Sequence, residues 1–344
     1  MTDLAPIPVQ SIMAEAREHQ ALPRDPDWAA GAAYVINRFD PIGRAAVPIT
    51  DLGFLRADAV YDVVSVSRGQ FFRLQDHQAR FARSCARMAL RNPFSPEAEA
   101  SLLNVLVAKT GLKDAYVWWA VTRGANPSAT ADRVHAGRFR NRFYAFVVPY
   151  VFIKDDAERR MGIHLHVARK HIRIPVNAVD PRAKNFCSLD LSMALMDAGE
   201  RGADWVVMTD GNGVLTEAPG SNIFVVANGE ILTPDVGCLE GITRMTVREL
   251  CAELGLPVRV GTVTVEALMS ADEAFLTSSA GGIIPVAVVD GCPLCQRAGP
   301  VSTRLHNHYW TRRWAGWHGM PVDYGADELG AVRIPGAESP PDSQ

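Results

Sequence analysis

Lysine is scarce in this chain, although basic residues are not. Of 35 lysines and arginines, only positions 109, 113, 154, 170 and 184 are lysine, and the other 30 are arginine. Arginine stays charged under nearly all conditions, whereas a lysine amine beside suitable partners can lose its proton and attack a carbonyl. A general preference for arginine codons would also explain the scarcity. The surroundings set Lys184 apart, because Asp180-Pro-Arg-Ala-Lys184-Asn185-Phe186 is typical of a turn that leads into an apolar helix.

The chain also lacks a strong net charge, a long apolar run and a regular cysteine pattern. A formal charge of −3 over 344 residues indicates no surface for nucleic acid or an anionic membrane. The longest uncharged apolar run, Phe143 to Ile153, is shorter than the roughly 20 residues that span a bilayer. No basic-then-apolar segment opens the sequence, so we expect a cytoplasmic protein. Cys292 and Cys295 have a redox or zinc spacing without a second pair, and we expect no metal site.

The pattern of apolar residues and turn signals predicts a mixed α/β (α+β) protein in two domains. We expect an N-terminal extension at 1–32, a small α/β domain at 33–149, a linker at 150–156, a large domain with Lys184 at 157–333, and a disordered tail at 334–344. Hairpins are predicted at 61–74 and at 223–232, and Asp76 and Ser95 are predicted helix N-caps. Strands outnumber helices without a strict βαβ order, which argues against a doubly wound nucleotide-binding fold.

Four segments together suggest a cofactor site. Lys184 is the candidate amine, and Glu217 is a lone carboxylate in a loop before a predicted hairpin. Gly241-Ile242-Thr243 starts a helix, where free N–H groups favour an anion, and the 277–282 run Thr-Ser-Ser-Ala-Gly-Gly could close around the same anion. Alone, each is ordinary: a helix cap, a solvated turn carboxylate, a loop. Together, a carbonyl-reactive lysine, a carboxylate and a phosphate cradle are what pyridoxal phosphate requires.

In this order, the segments resemble the fold-type IV pyridoxal-phosphate transaminases, which include branched-chain and D-amino-acid aminotransferases and aminodeoxychorismate lyase. Within that group they are most similar to the (R)-selective amine transaminases. The resemblance runs from about Tyr34 to Gly325. The matching stretches are Asp51-Leu-Gly-Phe-Leu-Arg-Ala-Asp-Ala-Val-Tyr61-Asp62-Val63, Phe71-Phe-Arg-Leu-Gln-Asp-His77-Gln-Ala-Arg80, Lys184-Asn185, Thr216-Glu217, Gly241-Ile-Thr-Arg244, Ala280-Gly-Gly-Ile-Ile-Pro285 and Pro321-Val-Asp-Tyr-Gly325.

The resemblance implies two α/β domains with the cofactor in the cleft between them, and a homodimer that completes the site. It implies that Lys184 holds pyridoxal phosphate as a Schiff base and then carries the substrate proton. Glu217 would pair with the pyridine nitrogen. The implied phosphate ligands are Arg80, the backbone of Ile242 and Thr243, and the serines Ser278 and Ser279. Since Arg83 and Arg87 lie nearby, Arg80 also fits an ordinary surface arginine.

The resemblance also implies a substrate pocket, in which this chain departs from the amine-selective members. The implied pocket residues are Tyr61, Arg56, Val63, Tyr116, Trp118 and Ser188. Amine-selective members usually have His at the position of Arg56, an acid at Trp118 and often Trp at Ser188. Arg56 and the loss of an acid favour a carboxylate in the substrate, and an arginine-rich loop with Arg133, Arg138, Arg140 and Arg142 could also bind one.

The predicted function is a ping-pong transaminase that moves an amino group from a small-molecule amine or amino acid to a 2-oxo acid. The (R)-amine transaminases are the most similar group. The alternatives are a branched-chain or D-amino-acid aminotransferase, a lyase of the same fold, and a non-catalytic binding protein. Intact Lys184 and Glu217 argue against the last alternative.

Overall fold

The structure is a computed structural model that describes residues 5–18, 26–126 and 135–326. Arg133 and the predicted tail at 334–344 lie outside these residues, as does part of the predicted N-terminal extension.

The described residues form a mixed α/β structure. The helices are α1 Val9–Glu18, α2 Leu52–Arg56, α3 Leu74–Arg87, α4 Pro96–Thr110, α5 Asp156–Met161, α6 Leu189–Glu200, α7 Ile242–Leu254, α8 Val265–Met269 and α9 Pro300–Trp314. The strands are β1 Ala32–Val35, β2 Arg38–Pro41, β3 Ala59–Ser67, β4 Gln70–Phe72, β5 Ala115–Thr122, β6 Arg142–Pro149, β7 Ile163–Val167, β8 Trp205–Val207, β9 Asn222–Ala227, β10 Glu230–Thr233, β11 Val258–Val260, β12 Glu273–Ser278, β13 Gly282–Val289, β14 Cys292–Pro293 and β15 Gly319–Pro321. Short 3₁₀ turns lie at Pro26–Trp28, Ile42–Arg44 and Ala136–Arg138.

The chain divides into two compact units. The lysine unit contains the described residues within Gln20–Tyr150, Ala183–Phe186 and Gly319–Gln344, and the glutamate unit contains those within Met1–His19, Val151–Arg182 and Cys187–His318. The sequence predicted that Lys184 belongs to the large domain at 157–333. In the structure, Lys184 groups with the lysine unit instead. The reason is backbone pairing: Tyr61 N–H donates to the Lys184 carbonyl, and Phe186 N–H donates to the Ala59 carbonyl.

The lysine unit is built on an antiparallel sheet with the strand order β15-β4-β3-β5-β6-β1-β2. One face of β3 and β5 is apolar and packs under α3 and α4, with Val64, Val117 and Trp119 fully buried. Side chains alternate between the two faces of a strand, so the neighbouring residues of β3 and β5 form the opposite face. The predicted hairpin between β3 and β4 is confirmed.

The glutamate unit is built on a mixed sheet with the order β11-β10-β9-β12-β13-β7-β8, to which β14 is added beside β13. Ile223, Leu276 and Ile284 lie in its core. The second predicted hairpin joins β9 and β10, and Asn228 and Gly229 both have positive φ, as a tight two-residue turn requires. Among the described residues, no helix is long and apolar enough to cross a membrane.

One predicted helix cap is confirmed and one is wrong. Ser95 caps α4, because its Oγ accepts the Ala98 N–H at 3.2 Å and Pro96 takes the first helical position. Asp76 does not cap α3, which begins at Leu74 after Arg73 in the left-handed region. Asp76 lies instead in the first turn, where it pairs with Arg73 at 3.0 Å.

Candidate active site

Lys184 is held beside β3 by its own backbone. Its carbonyl accepts the Tyr61 N–H at 2.9 Å, and its N–H donates to the Ser84 hydroxyl on α3 at 3.1 Å. Asn185 forms a bridge with Val60, so this segment acts as a short additional strand. The Lys184 amine lies 4.3 Å from the centre of the Tyr61 ring. The fold therefore fixes where this half-buried amine is presented.

Aromatic side chains cluster around Tyr61, the ring nearest the amine, on one face of the lysine-unit sheet. Tyr61 stacks on Trp118 at 5.9 Å, and Trp118 stacks on Phe146 at 5.1 Å. Phe186, two residues after the lysine, contacts the Tyr61 ring at 5.6 Å. Val63 lies opposite Trp118 in the register, and Tyr116 stacks on Phe146 at 6.3 Å. We call Tyr61, Val63, Tyr116, Trp118, Phe146 and Phe186 the aromatic face. Four predicted pocket residues are thus brought together.

Arg80 is buried in an ion pair on the other face of β3. Its Nε and Nη2 donate to the two oxygens of Asp62 at 2.9 and 2.7 Å, and His77 Nδ1 lies 2.8 Å from the same carboxylate. Burial alone would raise the pKa of Asp62, but Arg80 and His77 outweigh it and hold that pKa below its usual range. Arg80 is 3% exposed, so it is not the solvated surface arginine that the sequence also allowed.

Glu217 is buried in an ion pair and is not a solvated turn carboxylate. Its Oε1 accepts from Arg173 Nε at 2.9 Å, and its Oε2 accepts the Leu239 N–H at 2.9 Å. Arg173 also donates through Nη1 to Asp190 at 2.7 Å. Burial disfavours the charge of Arg173, but the Glu217 and Asp190 carboxylates prevail and raise its pKa. In the glutamate unit, Glu217, Arg173 and Asp190 thus form a row of carboxylate, guanidinium and carboxylate.

The start of α7 is tied to Glu217 through one residue, Leu239. Leu239 donates its N–H to Glu217, while its carbonyl accepts from Asn222 Nδ2 at 2.8 Å and from the Gly241 N–H at 2.9 Å. Gly241 is the N-cap of α7 and provides no side-chain acceptor. The first N–H groups of a helix lack intrahelical acceptors, so the buried start at Ile242 and Thr243 suits an anion.

The two candidate serines differ in their hydrogen bonds. Ser278 donates its hydroxyl proton to the Gly220 carbonyl at 2.8 Å and accepts the Ala280 N–H at 3.1 Å. A hydroxyl has one proton, so Ser278 cannot also donate to a phosphate while this turn is intact. Ser279 is half-buried in the loop between β12 and β13. Asn222 pairs in register with Thr277, two residues before Ser279, which brings this loop beside the start of α7.

The other two predicted pocket residues, Arg56 and Ser188, are exposed. Arg56 is exposed and lines a depression of about 680 Å³ together with Thr50, Leu52, Leu55, Ala125 and Asn126. Ser188 is exposed at the start of α6 in the glutamate unit. Arg142, a member of the arginine-rich loop, pairs with buried Asp51 at 3.4 Å.

Sequence reasoning missed Asp62, Arg173, Asp190 and Phe186. A signal existed for Asp62, because a charged residue between the apolar residues of a strand calls for a buried partner. Arg173 followed Lys170 and His171 and looked like part of a solvated basic run. Only the fold shows that its side chain is buried against Glu217. No group of three or more His, Cys, Asp or Glu residues that could bind a metal occurs in the described part of the chain.

Comparison with known proteins shows the family of this chain. The family model "Amino-transferase class IV" matches residues 59–289. The branched-chain-amino-acid aminotransferase of Pseudomonas aeruginosa is 31% identical over 248 residues, which cover 70% of this chain and 77% of that protein. The D-alanine aminotransferase of Bacillus licheniformis is 29% identical over 271 residues, which cover 76% of this chain and 91% of that protein. The crystal structure of branched-chain amino acid aminotransferase from Thermobaculum terrenum in its PLP (holo) form has a TM-score of 0.75 at 25% identity, over 88% of this chain and 100% of that one.

The chain belongs to the class IV aminotransferases. Its fold is the fold-type IV fold predicted from the sequence, and it is a pyridoxal-phosphate-dependent aminotransferase. Taken one at a time, the residues have the chemistry that the cofactor requires: an amine beside an aromatic ring, a buried carboxylate that accepts from Arg173 and the Leu239 N–H, and a helix start with no side-chain cap, which suits a phosphate. When bound, the cofactor supplies an aldehyde for the amine and a ring that accepts electrons.

Proposed function

We propose that the enzyme transfers the amino group of a donor with an apolar substituent to a 2-oxo acid such as pyruvate or 2-oxoglutarate. The observation that carries the proposal is the aromatic face beside the Lys184 amine. Rings of this kind favour apolar groups through the hydrophobic effect. The relatives named as branched-chain-amino-acid aminotransferases support an amino acid with an apolar side chain as the donor.

Within this proposal, each site residue has one task. Lys184 attaches the cofactor and moves the proton of the donor carbon. Glu217 accepts a hydrogen bond from the ring nitrogen, since it is a buried carboxylate that the Arg173 guanidinium and the Leu239 N–H hold in place. Ile242, Thr243 and Ser279 bind the phosphate. Arg80 can do so only through the side of its guanidinium that Asp62 does not occupy.

An (R)-amine donor is the second candidate. It is supported by the position of Arg56, which lines a depression whose lining residues include none of the aromatic face. A substrate on the aromatic face would then not need a carboxylate. A panel of L-amino acids, D-amino acids and both enantiomers of an aryl amine, tested with pyruvate and 2-oxoglutarate, separates the candidates. Conversion of L-leucine and not of the aryl amine would reject the amine hypothesis, and the reverse would reject the amino acid.

Removal of Lys184 tests the core of the proposal. In Lys184→Ala we expect no transamination and an unchanged circular dichroism spectrum, because the half-buried side chain contributes little to the core. Lys170→Ala, at an exposed lysine, is the matched control and should keep full activity. Borohydride reduction of the loaded wild-type protein, followed by peptide mass mapping, should label Lys184. A label on another lysine, or turnover by Lys184→Ala, would refute the assignment.

We also propose a homodimer in the cytoplasm. Large apolar side chains are exposed at Ile49 and Phe54 in the lysine unit, and at Leu189, Met193 and Met196 along α6 in the glutamate unit. Contiguous exposed apolar surface commonly marks an interface. The six cysteines are free thiols, which fits a reducing compartment. Light scattering should give twice the mass of the 37.5 kDa chain, and a monomer at micromolar concentration would contradict the dimer.

A further inference from the structure

Asp190 at the start of α6 has an unusual set of contacts. Its Oδ2 accepts from Arg173 Nη1 at 2.7 Å and from the Ile174 N–H at 2.8 Å. Its Oδ1 is buried and has no hydrogen-bond partner among the described residues. Leaving a buried carboxylate oxygen unpaired costs free energy. A residue with only a structural task would be served as well by a neutral amide, which could also accept from both donors.

The ionic character of Asp190 matters through Arg173. Arg173 is 7% exposed and lies between two carboxylates, with Nε directed to Glu217 and Nη1 to Asp190. The three groups together carry one negative charge. Without Asp190, the pair of Arg173 and Glu217 would be neutral overall. Low polarity around buried groups strengthens such electrostatic effects.

The geometry of Arg173 also depends on Asp190. A guanidinium and a carboxylate commonly pair through two parallel hydrogen bonds. Here Arg173 offers only Nε to Oε1 of Glu217, while Nη1 is directed to Asp190 and Oε2 is taken by Leu239. Asp190 holds Nη1 of the guanidinium. Arg173 therefore orients Glu217 through the single hydrogen bond from Nε and does not pair with both carboxylate oxygens.

We propose that Asp190 is a positioning residue that, by balancing the charge of Arg173, keeps Glu217 negative enough to retain a proton on the ring nitrogen of pyridoxal phosphate. This inference rests on the proposed role of Glu217. Asp190 does not touch the cofactor. It acts on Glu217 through Arg173, and its effect is confined to ligands whose ring carries a basic nitrogen.

Asp190→Asn tests the inference, because it keeps the shape and removes the charge. We expect its affinity for pyridoxal phosphate to be about tenfold weaker than in the wild type, which corresponds to one pKa unit at the ring nitrogen. The loss should increase with pH, since a weaker Glu217 releases the ring proton earlier. Asp190→Glu retains the charge and should recover most of the affinity. Asp197→Asn, on the same helix and paired with Arg201, is the matched control and should bind as the wild type does.

A cofactor analogue separates electrostatics from structure. In the analogue of pyridoxal phosphate with carbon in place of the ring nitrogen, there is no ring proton to retain. Asp190→Asn and the wild type should therefore bind it within about twofold of each other. Equal losses for both ligands would show a merely structural role and overturn the inference, as would unchanged affinity for pyridoxal phosphate. A wild-type protein that takes up no pyridoxal phosphate would instead refute the proposed function itself.

Discussion

At the scale of the residue, Glu217 is defined by the groups that donate to it. Arg173 and the Leu239 N–H each hold one of its oxygens, and the side chain is buried. Two fixed donors leave the carboxylate little freedom to rotate. The position is therefore prepared before a ligand arrives, as preorganised electrostatic catalysis requires.

Glu217→Gln should separate binding from catalysis. The amide keeps the size of the side chain but loses the charge that, in the proposed role, retains a proton on the ring nitrogen. We expect the variant to bind pyridoxal phosphate and to lose at least about 100-fold in kcat, the scale of a lost acid–base contribution. Glu230→Gln, at a half-buried glutamate of the same unit that pairs with Arg259, should keep kcat within about twofold of the wild type. A wild-type kcat in Glu217→Gln would remove the assigned role.

The residues predicted from the sequence were those whose chemistry is visible in a short motif. Lys184 could be selected by the scarcity of lysine and its turn-like surroundings, and Glu217 by its place in the ordered set of segments that resembles the family. The alternation along β3 indicated that Asp62 has a buried partner, but neither that partner nor the one of Arg173 could be named, because Arg80 and Glu217 are 18 and 44 positions away. A pairing over such a separation is created by the fold and leaves no local pattern.

At the scale of the element, Gly241 is both the N-cap of α7 and part of the candidate phosphate site. A Cβ on Gly241 would overlap with Oδ1 of Asn222, whose amide holds the Leu239 carbonyl. The same glycine has an ordinary negative φ, so its role is space and not backbone conformation. The sequence predicted this helix start correctly, but it contained no sign that Asn222 occupies the adjacent space.

Gly241→Ala should therefore weaken cofactor binding. The methyl group must displace Asn222 or the Leu239 loop, at a cost of about 1–3 kcal/mol in stability. We expect a lower melting temperature and weaker binding of pyridoxal phosphate. Gly199→Ala is the matched control, because no atom lies within 4 Å of its Cβ position and Gly199 is within α6. It should stabilise the protein by about 0.5–1 kcal/mol. Unchanged stability and binding in Gly241→Ala would show that the loop adapts.

At the scale of the whole molecule, stability depends on buried ionisable groups such as Glu99. Glu99 on α4 is 1% exposed, and burial raises its pKa to about 7 although Asn92 donates to it at 2.6 Å. The unfolded chain ionises this group near pH 4.3. Between these values the folded state holds a proton that the unfolded state has released. Glu99 therefore contributes stability at low pH, and that contribution is lost as the pH rises from about 4 to about 7.

Glu99→Gln should flatten this dependence. The free energy of unfolding at pH 8 should increase by on the order of 2 kcal/mol relative to the wild type, with little change at pH 4.5. Urea titrations at both values measure it. Glu97→Gln, at a fully exposed residue whose backbone N–H contact lowers its pKa, should not increase stability at pH 8. Equal gains at both pH values in Glu99→Gln would show a packing effect and not a titration.

The division of the molecule was the least predictable feature. The sequence placed Lys184 in the segment 157–333 because it lies well after the charged boundary near residue 154. The structure places residues 183–186 with the lysine unit, since they pair with β3. Strand pairing over more than 100 positions cannot be inferred from periodicity. The hairpin of β3 with β4 was predicted correctly, because its two strands are neighbours in the sequence.

The alternation along β3 has a consequence for protein engineering. Tyr61 and Val63 belong to the aromatic face, while Val60, Asp62 and Val64 lie on the face that packs with α3 and binds Arg80. Libraries that vary positions 61, 63, 116, 118 and 146 would change the proposed donor-facing surface at modest risk to folding. Randomising the intervening positions would mostly yield insoluble protein. A search for new donors can therefore be confined to every second residue of three adjacent strands.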